Sequence, residues 1–294
     1  MYGIIDIGSN TMRLSCYRVV DRKLIFTFHK KVMAGLAGYV DEKKCLSKTG
    51  IEKAIEILKD FNTIVMCVGL DHLYIIATAS FRNVENTEEI KEKIRKKTGM
   101  TIQVLTGKEE ALYDFKGATY HTKVKKGIVV DIGGGSTELV PFEEQDVKKA
   151  ISIPIGSLNL YSKFVEDLFP NAKEESAIRN CVKKELDKMD IEKEKEILGV
   201  GGSNRACLKL YNEFYSLDSD NSKMDCEKIH EMLKDFCTNR KDGMGRILKI
   251  VPDRVHTVIP GMIVLDEISN YYKCKKVQIS NWGVREGYMI EKVL

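Results

Sequence analysis

The chain has 294 residues, of which 43% are hydrophobic and 31% charged, which suits a folded globular protein with room for two domains of ordinary size. Its 47 basic and 43 acidic residues leave a net charge of +4, too balanced to argue for nucleic acid as a partner. No stretch approaches the roughly 20 apolar residues of a membrane span, and Met1 runs straight into a strand-like segment with no basic and apolar leader, so no membrane association and a cytoplasmic location are expected. The eight cysteines contain no C-x-x-C pair and no histidine at zinc spacing, which excludes a sequence-evident zinc or redox centre.

Val, Ile, Phe and Tyr are frequent at the start, predicting strands over Tyr2–Ile7, Met12–Val20 and Lys23–Met33, with Asp21-Arg22 as a tight turn. From Ser47, a plausible N-cap, to about Cys67 the period becomes helical, and Ile51, Ala54, Ile55, Leu58 and Phe61 share one face. A strand follows at Leu73–Thr78. A charged helix over Asn86–Thr98 closes at Gly99, and another strand spans Thr101–Leu105. Thr106-Gly107-Lys108-Glu109 has the form of a capping box, so a helix should run to about Tyr120.

The order then restarts. Strands are expected at Gly127–Ile132, Thr137–Phe142 and Val147–Ile153, and helices over Gly156–Phe169 and Lys173–Met189. A strand at Glu196–Val200 leads through Gly201-Gly202-Ser203 into a helix ending near Tyr211. Helices around Asp225–Cys237 and Gly261–Tyr272, a strand at Val277–Ile279 and a closing helix over Val284–Val293 complete the chain. Two similar halves of this size indicate a duplicated α/β domain, joined across the polar stretch His121–Lys126. Two such domains would face each other across a cleft beyond their strand ends.

Each half carries a near-copy of one glycine-bearing hairpin. The first is Asp6-Ile7-Gly8-Ser9-Asn10-Thr11, and the second is Asp131-Ile132-Gly133-Gly134-Gly135-Ser136-Thr137-Glu138. A strand that ends in Asp, turns through small residues and returns as a strand can array backbone N–H groups around a phosphate. Its Asp is then available to a hydrated metal ion. Taken singly, Asp6 or Asp131 would only cap a turn; the repetition argues for a phosphate site enclosed from two sides.

Together with further segments, these hairpins resemble the exopolyphosphatase and guanosine pentaphosphate phosphohydrolase family of the actin/hexokinase/Hsp70-like superfamily. The segments are Ile5–Leu14, Ala77-Thr78-Ala79-Ser80-Phe81-Arg82, Gly107-Lys108-Glu109-Glu110-Ala111, Val130–Val140, Pro154-Ile155-Gly156-Ser157, Gly199-Val200-Gly201-Gly202-Ser203 and Ser280–Gly287, in that order along almost the whole chain. The resemblance implies an α/β fold of two duplicated ribonuclease H-like (actin-like ATPase) domains with the active site between them. They would cover residues 1–120 and 121–294, with the closing helix 284–294 packing back on the first. It implies Mg2+-dependent hydrolysis of the terminal phosphate of polyphosphate or of the 5′ γ-phosphate of guanosine pentaphosphate. It also looks like a short form of the family, without the extra C-terminal helical domain of long members, and leaves a homodimer open.

Phosphoryl transfer needs positioned donors, countercharge and an aligned water. Gly133, Gly134 and Gly135 permit close backbone approach, and Ser9, Asn10 and Ser136 add short donors. Arg13 and Arg82 can make two-point bonds to phosphate, although Arg82 could instead bind a loop carbonyl. Asp6, Asp131 and Glu138 are oxygen donors for Mg2+, reached through waters. The family places its catalytic glutamate in the Glu-Glu-Ala segment, which assigns Glu110 as general base, with Glu109 the neighbouring candidate and Glu138 a second catalytic acid. Leu112 stands where long members commonly have arginine, and Phe81 where smaller aliphatic residues are frequent, so chain-length preference is left open. An ATP-dependent kinase or actin-like ATPase and a non-catalytic polyphosphate or alarmone binder are the competing readings.

Overall fold

The computed structural model describes all 294 residues. Strands β1 (Tyr2–Ile7), β2 (Thr11–Val20) and β3 (Lys23–Met33) form an antiparallel meander, and β4 (His72–Ala77) and β5 (Gln103–Val104) add to it in parallel, in the order β3-β2-β1-β4-β5. The β2–β3 turn works because Asp21 and Arg22 both take positive φ, 48° and 57°, the backbone twist that a two-residue hairpin needs. Helix α1 (Lys48–Val68) begins where Ser47 accepts from the Gly50 N–H, and ends at Gly69 with φ 67°. Its face of Ile51, Ala54, Ile55, Leu58 and Phe61 is buried in one core with Ile5, Ile7 and Leu14 of the sheet. A one-turn helix α2 (Ala79–Arg82), helix α3 (Thr87–Thr98) and helix α4 (Gly107–Thr119) complete this half. At the start of α4, Thr106 and Glu109 make both hydrogen bonds of a capping box.

The second half repeats the plan with additions. Strands β6 (Lys126–Ile132), β7 (Thr137–Glu143), β8 (Asp146–Val147) and β9 (Ile151–Ile153) precede helices α5 (Ser157–Phe164) and α6 (Ala172–Leu186). Then come β10 (Glu196–Val200), α7 (Gly201–Phe214), β11 (Lys223–Asp225), α8 (Cys226–Thr238), α9 (Arg240–Ile250), α10 (Val258–Tyr272), β12 (Lys276–Ile279) and α11 (Val284–Val293). The sheet order is β11-β12-β10-β6-β7-β8, with β9 also paired to β7. Read from the other edge, β8-β7-β6-β10-β12 reproduces the meander and two parallel strands of the first sheet, with β11 as an added antiparallel edge. Apolar α10 is buried on nearly every side, at the centre of the larger core.

Several elements depart from expectation. The strand expected over Val147–Ile153 is two short strands, β8 and β9, interrupted by the polar Lys148 and Lys149. The helix expected over Gly156–Phe169 ends at Phe164, where Val165 turns extended with φ −111° and ψ 117°. Helix α9 was not legible, since Gly243 and Gly245 within it lower its helical signal; Gly243 packs against the Phe236 backbone of α8. The brief α2 and β11 were also unread, being too short to show a period.

Helix α11 packs across the first sheet. Tyr288, Met289 and Ile290 share a buried cluster with Ile4, Tyr17, Leu24, Ile76 and Leu105, each side chain contributing roughly 1.5–3 kcal/mol by its burial. Alongside, α11 meets α4 backbone to backbone: a Cβ at Gly287 would stand 1.8 Å from the Tyr113 carbonyl oxygen, so only glycine fits. This contact matters for the site, because α4 carries Glu110 and Asp114 while α11 carries Arg285.

Candidate active site

The twin hairpins are built alike. Asp6 pairs in register with Arg13 across β1–β2, and Asp131 with Glu138 across β6–β7. In each loop the first glycine N–H donates to the carbonyl of the fourth residue: Gly8 to Thr11 at 3.0 Å, and Gly133 to Ser136 at 2.9 Å. In the second loop the carbonyls of Gly133 and Gly134 accept from the first backbone N–H groups of α5, and that of Gly135 from Asn159 Nδ2. Because trans peptides point N–H opposite to C=O, the N–H groups of Gly134, Gly135 and Ser136 turn away from α5. In the first loop the carbonyls of Ser9 and Asn10 are taken by the backbone of Ala37, Ala34 and Gly35, which turns the Asn10 and Thr11 N–H groups the other way in the same manner.

The two loops meet. A Cβ at Gly135 would stand 2.7 Å from Ser9 Oγ. Between the halves lies a cavity of about 120 Å3, lined by Asp6, Ser9, Asn10, Arg13, Glu110, Asp131 and the Gly133–Ser136 turn, together with Gly201, Gly202, Arg205, Arg254, Gly283 and Arg285. The halves are also linked at the rim by Lys31 Nζ to Asp253 Oδ2 at 2.5 Å. A groove of about 780 Å3 elsewhere, between α6, α8 and α10, contains none of these residues. Its buried acid Glu267 is already held by Arg179, which also pairs with the neighbouring Asp266.

Glu109 and Glu110 separate cleanly. Glu109 is spent on the capping box of α4, whereas Glu110 is buried and lines the cavity. Glu110 Oε2 accepts from Arg82 Nη1 at 2.6 Å. Burial pushes the Glu110 carboxyl up to about 7, against the opposing pull of Arg82 and with further upward pushes from Asp131 and Asp6. Arg82 also donates to the Leu105 carbonyl and to Ser136 Oγ, and its Nη2 stands 3.8 Å from Glu138. It is therefore a bridge between Glu110 and Glu138 rather than part of the cavity wall, and it makes the loop-carbonyl bond as well. Glu138 is fully buried behind it, accepts from Ser152 Oγ at 2.7 Å, and does not reach the cavity.

Burial raises the carboxyls of Asp6 and Asp131, and arginines counter this: Arg285 and Arg13 beside Asp6, Arg205 and Arg285 around Asp131. Arg285 Nη1 lies 3.5 Å from Asp6. Burial and mutual repulsion bring Arg13 and Arg205 down to about 10, and the Nε atoms of Arg13 and Arg285 and the Nδ2 of Asn10 have no hydrogen-bond partner. Unmet donors beside a small cavity fit a polyanion. Reading the sequence missed Arg205, Arg254, Arg285 and Asp114. Arg205 sits one turn into α7 and Asp114 one turn beyond Glu110, so helical spacing from a named motif was the available signal.

No three acidic, histidine or cysteine side chains close around one point as a ready-made metal cage, so Asp6, Asp131 and Glu138 do not form a direct ligand set. The donor set nevertheless fits a hydrated Mg2+. Asp6, Asp131 and Glu110 are hard oxygen donors, Asp6 and Asp131 raise the proton affinity of Glu110, and Mg2+ commonly takes one or two carboxylates and completes its shell with water and phosphate.

The chain is 29% identical to the bifunctional 3-dehydroquinate synthase/phosphatase of Fusobacterium nucleatum, over 98% of this chain but only 46% of that protein. It is 24% identical to exopolyphosphatase 1 of Mycobacterium tuberculosis over 99% of this chain and 88% of the relative. The crystal structure of the Aquifex aeolicus Ppx/GppA family member superposes with a TM-score of 0.82 at 26% identity, covering 99% of this chain and 97% of the other. With residues 15–294 matching the family's sequence model as well, this chain belongs to the Ppx/GppA phosphatase family.

Proposed function

We propose that the chain is an exopolyphosphatase, hydrolysing the terminal phosphoanhydride of inorganic polyphosphate and releasing orthophosphate. The observation that carries this reading is the buried, arginine-paired Glu110 on the wall of a small cavity closed by two opposed glycine turns. A cavity of about 120 Å3 suits a terminal phosphoryl group. In this reading the N–H groups of Gly134, Gly135 and Ser136 and the side chains of Ser9, Asn10 and Arg13 hold the terminal phosphoryl group. Arg205, Arg254 and Arg285 balance the charge of the phosphates beyond it. Glu110, ionised, takes the proton of the attacking water, and Arg82 orients it from behind. Mg2+, held at Asp131 and reached by Asp6 through waters, would supply charge neutralisation of the phosphate oxygens. Residues 1–120 with α11, and 121–283, act as the two lobes that close on the substrate, and the protein works in the cytoplasm as a monomer or homodimer.

Guanosine pentaphosphate is the second substrate to test, because the family includes both activities and Arg254, over the start of α7, could meet a more distant phosphate. Phosphate release is to be measured in parallel from polyphosphates of defined length, guanosine pentaphosphate and ATP, with Mg2+. Faster release from polyphosphate supports the proposal. Preference for guanosine pentaphosphate replaces it with the second reading, and turnover of ATP alone would sink both.

A further inference from the structure

Asp114 lies one helical turn beyond Glu110 on α4 and is completely buried. Every other carboxylate of the site has an arginine. Arg82 serves Glu110 and Glu138, Arg285 serves Asp6, and Arg205 and Arg285 face Asp131. Asp114 has none. Neither of its oxygens meets a hydrogen-bond donor, and the charges acting on it most strongly are those of the acids Asp131, Glu138 and Glu110. Its Oδ1 looks toward Gly283 on the cavity wall, where a Cβ would stand only 3.0 Å away. Its carboxyl also lies against that of Asp131, within hydrogen-bonding reach. Two buried carboxyls in contact demand either a shared proton or a cation.

We propose that Asp114 is a ligand of the divalent cation, joining the cavity-lining Asp131 from behind the cavity wall in a two-carboxylate seat between α4 and β6. The arginines answer the other acids, Asp131 included, so Asp114 is where uncompensated negative charge remains. Two carboxylates with water and substrate phosphate make an ordinary coordination set for Mg2+ or Mn2+, which agrees with the lack of a third acidic side chain at that point. The seat rests on the cation-dependent reading of the site, but cation binding is measured without substrate. A failure of phosphate release from every substrate would therefore leave this test standing.

The experiment is a Mn2+ titration of the substrate-free protein followed by electron paramagnetic resonance, with wild type, Asp114→Asn and Asp131→Asn. The Asn variants keep shape and remove one ligand charge each. Both are expected to weaken Mn2+ binding by about 10-fold or more. Wild-type affinity in Asp114→Asn, whose amide can donate to Asp131 as a shared proton would, overturns the assignment, as does absence of Mn2+ binding in wild type. Should the variant not fold, a Mn2+-soaked wild-type crystal decides. An anomalous peak within about 2.6 Å of an Asp114 oxygen supports the seat, and a peak elsewhere or none refutes it.

Discussion

Arg82 Nη1 donates to Glu110 Oε2 at 2.6 Å across 28 residues of sequence, joining the end of α2 to the start of α4. The same guanidinium reaches Ser136 in the second hairpin loop, so one side chain ties the acid on the cavity wall to the turn opposite. A charge-assisted bond of this kind fixes the carboxylate's direction while leaving its second oxygen for water.

Replacing Glu110 with Gln should lower phosphate release by roughly 10²–10⁴-fold, the range of a positioned general base, with circular dichroism unchanged. Turnover near that of wild type would remove Glu110 from the proposed mechanism.

The working form of Glu110 is the ionised one, and burial lifts its carboxyl to about 7 despite Arg82. In the substrate-free protein the ionised fraction therefore falls about tenfold per pH unit below that value. Measured kcat/KM should climb through pH 6 to 8 and level off above. A profile flat between pH 5 and 8 contradicts this.

The same shift bears on stability with a definite sign. A carboxyl raised on folding stabilises the fold fully below its unfolded value near 4.5, and this contribution is lost as pH rises through about 7. Glu110→Gln should therefore be more stable than wild type at pH 8, on the order of 1–3 kcal/mol, and the gap should narrow at pH 5. Thermal melts of both proteins at the two pH values measure it; a gap that widens toward pH 5 reverses the sign and rejects the assignment.

Gly201 opens α7 with φ 78°, and a Cβ there would stand 1.9 Å from Asp131 Oδ1. Gly201→Ala should cost about 1–3 kcal/mol by strain and displace the Asp131 carboxylate. Denaturant titration alongside phosphate release should show both losses. An alanine variant with wild-type stability and activity would mean that the turn relaxes without cost.

The Lys31–Asp253 pair crosses the rim of the cleft with both side chains partly exposed. Such pairs contribute about 0–1 kcal/mol, so Lys31→Ala should leave the melting temperature nearly unchanged. If the pair holds the halves together, small-angle X-ray scattering should show a larger radius of gyration in the variant. Identical scattering curves would show that it does not.

Much of the molecule was legible locally. Alternation and helical period located the first meander, β6, β7 and α1, the Thr106–Glu109 box fixed the start of α4, and the repeated Asp-to-glycine turns marked two loops as partners. Elements lacking a period, such as α2, or carrying glycines within a helix, such as α9, were not legible. The site divides in the same way. Asp6, Ser9, Asn10, Arg13, Glu110, Asp131 and the Gly133–Ser136 turn all line one cavity, while Arg82 and Glu138 stand behind it.

The sequence by itself determined the backbone devices: where glycine permits a turn, where a cap begins a helix, which faces are apolar. These depend on neighbours a few residues apart. Only the tertiary structure decided which charges meet, because Arg205, Arg254 and Arg285 reach the cavity from three separate elements and Asp114 is defined by the absence of any arginine beside it. Electrostatic partnership is set by distance and burial in space, and neither is written in the order of residues along a chain.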